Sequence, residues 1–204
     1  MLTKGGRYRK LFLNYFETGC PDTMEIATDT ERTPADWTSR PYADALAGRG
    51  YELLLFGDLE AAEGALEEAL GLSPFHGRAL GLKSITLTYR GRREAALAAA
   101  AEAVRRNAAA ALGFTARGAA RALTGEVAVG AEDCEYGLAL APACPLANFF
   151  SACCWARKGR ERACREGLER AMALERRFRE FAQTEGSFKE YWEVPWFKKL
   201  TGRL

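Results

Sequence analysis

Between residues 43 and 178 apolar positions recur at helical spacing, and the helical runs break at regular places. Gly57, Gly91, Gly125 and Gly159 stand 34 residues apart, each where one helical pattern stops and another begins. Glycine suits the turn of a helical hairpin, where a positive φ strains other residues. The spacing predicts four helical hairpins without a gap: 43–76, 77–110, 111–144 and 145–178.

Small residues keep the same period. Repeat position 8 holds Gly50, Ser84, Gly118 and Ala152; position 20 holds Ala62, Ala96, Gly130 and Cys164; position 27 holds Ala69, Ala103, Gly137 and Ala171. With the turn glycines, all sixteen places carry a small residue, although such residues make up one third of the chain. Chance gives this on the order of 10⁻⁸ for a preset register. Close packing is the physical reason. Positions 8 and 20 are expected to face each other where the first helix of a hairpin, helix A, crosses the second, helix B. A larger side chain there would push the pair apart. Leu53, Leu87 and Trp155 at position 11, and Leu66 and Leu168 at position 24, fill around the crossing.

This pattern resembles the tetratricopeptide repeat family over roughly residues 42–200. The resemblance implies an all-α fold: a right-handed α-solenoid of four helix-turn-helix repeats closed by a C-terminal capping segment. Pro74 and Pro142 fall at position 32, where the family's proline ends helix B. Several positions depart from the pattern. Position 4, usually aromatic, holds Leu46, Leu80, Phe114 and Asn148; position 11 of the third repeat is Arg121; position 32 is Ala108 and Arg176 in repeats two and four. The third repeat is expected to be the weakest, because Gly118, Gly125, Gly130 and Gly137 lower helix propensity. From the last residue of repeat four onward come Phe178, Phe181, Phe188, Tyr191, Trp192, Trp196 and Phe197. Some bacterial arrays end on such an aromatic tail, which covers the face that a missing neighbour leaves bare. The same cluster could instead be a ligand patch.

Three segments follow: an extension over 1–41, the repeats over 42–178 and a cap over 179–204. In the extension, Leu11–Phe16 could form a short amphipathic helix, and the polar stretch from Glu17 to Arg40 reads as flexible. The apolar run near the N-terminus is six residues long and broken by Asn14, short of a signal peptide's core, so a cytoplasmic protein is expected.

The family's concave surface is lined mainly by helix A positions 2, 5, 9, 12 and 13. Of the twenty such residues fourteen are apolar and three charged. The candidate groove comprises Tyr51, Leu54, Leu55, Arg78, Ile85, Tyr89, Leu112, Leu123, Leu146, Phe149 and Arg157. The Lys, Arg and Asn constellation with which family members grip a C-terminal carboxylate is absent. An apolar groove suits an amphipathic helix or extended apolar segment. The chain itself offers two candidate occupants, Leu11–Phe16 and the tail aromatics.

Composition narrows the chemistry. The formal net charge is +2, but it alternates by repeat as −6, +5, −2 and +4, so ion pairing between neighbours is expected. One histidine, His76, and six cysteines without a C-x-x-C spacing argue against a structural zinc site. The vicinal pair Cys153-Cys154 is a candidate thiol site, though buried cysteines in a reduced compartment are the ordinary case. No phosphate-binding glycine motif and no acid–base constellation occur, so neither catalysis nor a cofactor is expected. No helix face carries recurring base-reading polar residues, which disfavours nucleic acid. The sequence points to a non-catalytic module that binds a protein or peptide, or to a structural subunit that self-associates through its repeat faces.

Overall fold

The structure is a computed structural model, and it describes residues 34–106 and 111–203. The Leu11–Phe16 segment, Cys20 and Ala108 lie outside the described residues. Helices succeed one another as α1 (Pro34–Phe56), α2 (Leu59–Leu72), α3 (Gly77–Tyr89), α4 (Arg93–Arg106), α5 (Ala111–Leu123), α6 (Val127–Leu140), α7 (Pro145–Arg157) and α8 (Glu161–Leu174). The tail adds α9 (Phe178–Thr184), a 3₁₀ turn (Gly186–Tyr191) and α10 (Pro195–Thr201). Each helix contacts its hairpin partner, and α1, α3, α5 and α7 also contact one another in succession. The result is an all-α helical repeat solenoid whose A helices share one face.

The hairpin turns form for the expected reason. Gly57, Gly91, Gly125 and Gly159 have φ of +82°, +73°, +111° and +67°, and among the described residues no non-glycine residue has a positive φ. The residue that ends one repeat then opens the next. His76 Nδ1 accepts from the Ala79 backbone N–H at 3.1 Å, and its Nε2 lies 2.8 Å from Asp44 Oδ1. An Nδ1 that accepts leaves the proton on Nε2, so the ring donates to Asp44 while it caps α3. Cys144 plays the same capping part for α7, its Sγ accepting from Ala147 N–H at 3.5 Å.

The first helix corrects one expectation. Residues 34–40, read as part of a flexible segment, are the opening turns of α1, which begins nine residues before Ala43. Pro34 fits the start of a helix, where its missing N–H is an orphan in any case. Pro41 lies inside α1 and leaves one carbonyl of the preceding turn without its usual donor.

The third repeat shows what its glycines are for. Its glycines do lower propensity, yet α5 and α6 are both complete helices and pack on each other at close range. A Cβ at Gly118 would lie 2.6 Å from Gly130 O, and one at Gly130 would lie 2.6 Å from Gly118 O. The two helices therefore touch backbone to backbone, and the glycines are what permits it. Arg121, the polar intruder at position 11, is answered by Asp133. Arg121 Nη1 donates to Asp133 Oδ2 at 2.6 Å, and Arg117 grips the same carboxylate through Nε (2.9 Å) and Nη2 (2.6 Å). Those bonds, before anything else, hold the Arg117 guanidinium above its ordinary pKa. Asn148, the polar residue at position 4, is buried and donates to the carbonyls of Pro142 (2.8 Å) and Cys144 (2.9 Å). It ties down the loop that leads into α7.

Candidate binding groove

The A helices bring the expected groove residues onto one face but do not leave them open. Tyr51, Leu54, Ile85, Leu112, Leu146 and Phe149 are each 5% exposed or less, and Leu55 is also buried. Arg78, Tyr89 and Leu123 are half-buried, and Arg157 is exposed. Part of this burial comes from neighbouring A helices: Leu112 of α5 fills the space beside Gly81 of α3, where a Cβ would lie 2.8 Å from its Cγ. The tail covers Phe149 and Tyr89.

The chain turns back after α8 through Glu175, Arg176 and Arg177, and α9 crosses the face as far as α1. Phe178 stacks on Phe149 with ring centroids 4.6 Å apart and planes at 25°. One helical turn on, Phe181 meets Tyr89 edge-to-face at 5.5 Å and Phe149 at 5.3 Å. Phe188 of the 3₁₀ turn closes on Phe149 at 5.7 Å and on Phe197 of α10 at 5.9 Å. Phe149, Phe178, Phe188 and Phe197 are all 0% exposed, so this cluster is a core formed by groove and tail together.

Polar contacts fix the tail at both ends of the cluster. At the α1 end, Arg177 pairs with Glu52 and with Glu175, the latter at 2.8 Å, and its guanidinium lies 5.8 Å from the Tyr51 ring centre. Arg78 lies 5.9 Å from the same ring. Burial, and then Glu175, raise the Tyr51 phenol above its ordinary pKa. At the other end, the Tyr89 hydroxyl donates to Glu185 Oε2 at 2.6 Å, and Ser187 donates to Oε1 through its N–H (2.9 Å) and hydroxyl (2.8 Å). Arg157 Nε donates to Ser187 Oγ at 2.9 Å. Glu185 is buried, and its carboxylate takes three donors. Burial and the Glu185 charge push the Tyr89 phenol well above its usual value.

The tail has two parts. Its first half lies in the groove, while its end covers the last repeat, where Trp196 Nε1 donates to Glu161 Oε1 at 2.7 Å at the start of α8. Sequence reasoning missed Glu52, Arg177, Glu185 and Ser187. The spacing Phe178-x-x-Phe181, one helical turn, was the available signal for a helix with an aromatic face. Among the described residues no group of three His, Cys, Asp or Glu side chains is placed to hold a metal ion, and no helix is long and apolar enough to cross a membrane.

No protein-family model and no curated protein matches the sequence. Solved structures do match the fold. A thermophilic TPR protein of Thermus thermophilus superposes with a TM-score of 0.57 at 18% identity, over 79% of this chain and 91% of that one. The Thermobaculum terrenum O-GlcNAc transferase gives 0.53 at 21% identity, over 70% of this chain and 27% of that one. The APC/C assembly Cut9–Hcn1 gives 0.52 at 16% identity, over 78% and 29%. The chain thus has the tetratricopeptide repeat fold, in agreement with the repeat pattern of its sequence.

Proposed function

We propose that this chain is a non-catalytic protein-interaction module whose concave groove takes an amphipathic helical segment of a partner, and that its own tail holds the groove in the partner's absence. One observation carries the reading: a helix of this chain already lies there, anchored by Phe178 and Phe181 on Phe149 and Tyr89. The occupant defines the chemistry the groove accepts. It has two aromatic residues one turn apart, then a carboxylate that meets the Tyr89 hydroxyl. A partner with the same features competes for the same contacts. The tail has the advantage of tethering, which places it at about millimolar effective concentration. Only a partner of good affinity, or a weakened tail, shifts the balance.

The test keeps the full chain. A fluorescent peptide of residues 175–192 is titrated into the wild type and into a Phe181→Ala/Glu185→Gln variant. Anisotropy is expected to show binding to the variant at least about tenfold tighter than to the wild type, because the variant's own tail competes less well. Equal affinities for the two proteins, or no binding to the variant while its circular dichroism remains native, would rule the groove out as a helix-binding site.

A further inference from the structure

Cys153 and Cys154 are neighbours in the chain but do not face each other. Successive helical residues point about 100° apart. Cys153 turns toward the tail; burial, and then the Glu185 charge, hold its thiol well above its ordinary value. Cys154 turns toward α6, and its Sγ lies 3.8 Å from the Sγ of Cys134. Both sulfurs are free thiols, and the two residues are 1% exposed or less. Cys134 has little room to retreat, since a Cβ at Gly118 on α5 would lie 2.5 Å from its sulfur. The glycine crossing backs it on one side and Cys154 meets it on the other.

We infer that Cys134 and Cys154 are an oxidisable dithiol site, which a peroxide converts to a disulfide joining α6 to α7. A disulfide needs about 2.05 Å between its sulfurs. The gap to close is therefore under about 2 Å, within reach of side-chain rotation at the two cysteines. The chemistry balances in two steps. One thiol, as thiolate, attacks the peroxide O–O bond, which breaks to give a sulfenic acid and one water. The second thiol then displaces the sulfenic hydroxyl as a second water, and the S–S bond forms. Two electrons leave the sulfurs and the peroxide oxygens receive them.

The bond would link helix B of the third repeat to helix A of the fourth. That junction sets the angle between consecutive hairpins, and so the shape of the concave face that α7 shares with the tail. All four free cysteines among the described residues are buried. Cys164 lies on α8, its thiol pushed up to about 12 by burial and then by Glu161. The Cys134 thiol is held well above its ordinary value, first by the hydrogen bond with Cys154 and then by burial. Reaction at neutral pH is accordingly slow, and closure depends on sustained oxidant.

Hydrogen peroxide added to the full chain, followed by alkylation of remaining thiols and peptide mass mapping, tests the site. The expected product is a Cys134–Cys154 linked peptide that forms while near-ultraviolet circular dichroism stays native, and that dithiothreitol reverses. A Cys153→Ala variant keeps this link, and a Cys154→Ala variant loses it. Should Cys154→Ala fail to fold, the wild type and Cys153→Ala maps still decide. A Cys153–Cys154 link, oxidation of Cys134 without a link, or a link formed only after the native signal is lost would each overturn the inference.

Discussion

The α5/α6 crossing and the α7/tail contact are both tightly packed, but they are built from opposite materials. At the first, Gly118 and Gly130 let two backbones touch. At the second, four phenylalanines and a short polar network meet, and the backbone behind them is joined to α8 by Glu175, Arg176 and Arg177 alone. A backbone contact has no rotamers and no alternative packing. A side-chain contact on a short hinge can separate as a unit and re-form. The crossing is thus set by backbone contact where the sequence looked weakest, and the tail is held by side chains on a three-residue connection to α8. The following substitutions probe that contrast, from the largest expected effect to the smallest.

Gly118→Val is expected to be the most damaging. Its side chain would meet Cys134 Sγ at 2.5 Å, Gly130 O at 2.6 Å and Cys134 N at 2.8 Å, two of which are backbone atoms that cannot rotate away. Overpacking usually costs about 1–3 kcal/mol, and a clash with fixed backbone belongs at or above the top of that range. The measurement is a urea unfolding curve. A midpoint equal to wild type would mean that α5 and α6 do not cross at this residue.

Phe149→Ala acts on the other side of the comparison. It removes the ring on which Phe178, Phe181 and Phe188 converge, at a cost of about 3 kcal/mol. Because only residues 175–177 join the tail to α8, the loss is expected to appear as tail release rather than global unfolding. Limited proteolysis at Arg176 and Arg177 should accelerate while the helical circular dichroism is largely retained. Loss of all helix together with the tail would show that body and tail form one cooperative unit.

How far the sequence reaches is seen in the same two regions. The 34-residue period located the turns, the small positions and the hairpins, because close helix packing leaves a mark at every repeat. Arg121 and Asn148 looked like defects since their compensation lies elsewhere in the sequence. Asp133 stands twelve residues beyond Arg121, and the carbonyls that Asn148 bonds belong to a loop with no pattern of its own. The opening of α1 at Pro34 was hidden by its polar residues, which lack an apolar stripe. For the groove, the sequence offered the tail aromatics as one of two candidate occupants but not the path that brings them onto Phe149 and Tyr89. Docking of the tail depends on the direction the chain takes after Leu174, and no periodicity encodes that.

Asp133→Ala and Arg121→Leu separate a real polar substitute from a tolerated one. Asp133 is 8% exposed and satisfies two guanidinium groups, so its removal is expected to cost about 2 kcal/mol, discounted for the partial exposure of both arginines. Arg121→Leu should cost under about 1 kcal/mol, because Arg117 keeps its two-pronged grip and leucine fills position 11 as in other repeats. Equal losses in thermal or urea stability would show that Arg121, and not only Asp133, is required at the crossing.

Tyr89→Phe is the change most specific to the tail. It deletes one hydrogen bond to Glu185 while the donors from Ser187 remain, so tail docking should weaken by about 1 kcal/mol, roughly fivefold. The pH dependence adds a signature that steric loss could not imitate. Burial and the Glu185 charge raise the Tyr89 pKa in the docked state. A raised pKa contributes stability that is fully present below the undocked value, about 10, and is lost as pH rises from there toward the docked value. Tail docking in the wild type should therefore be level from pH 7 to 9 and fall above pH 10. Tyr51, also raised and beside Arg177, contributes to the same fall, so Tyr89→Phe should flatten the slope without abolishing it. Proteolytic release of the tail at pH 8 and at pH 10.5, compared between the two proteins, reads both effects. If the variant and the wild type lose protection in parallel above pH 10, the Tyr89–Glu185 bond does not hold the tail in place.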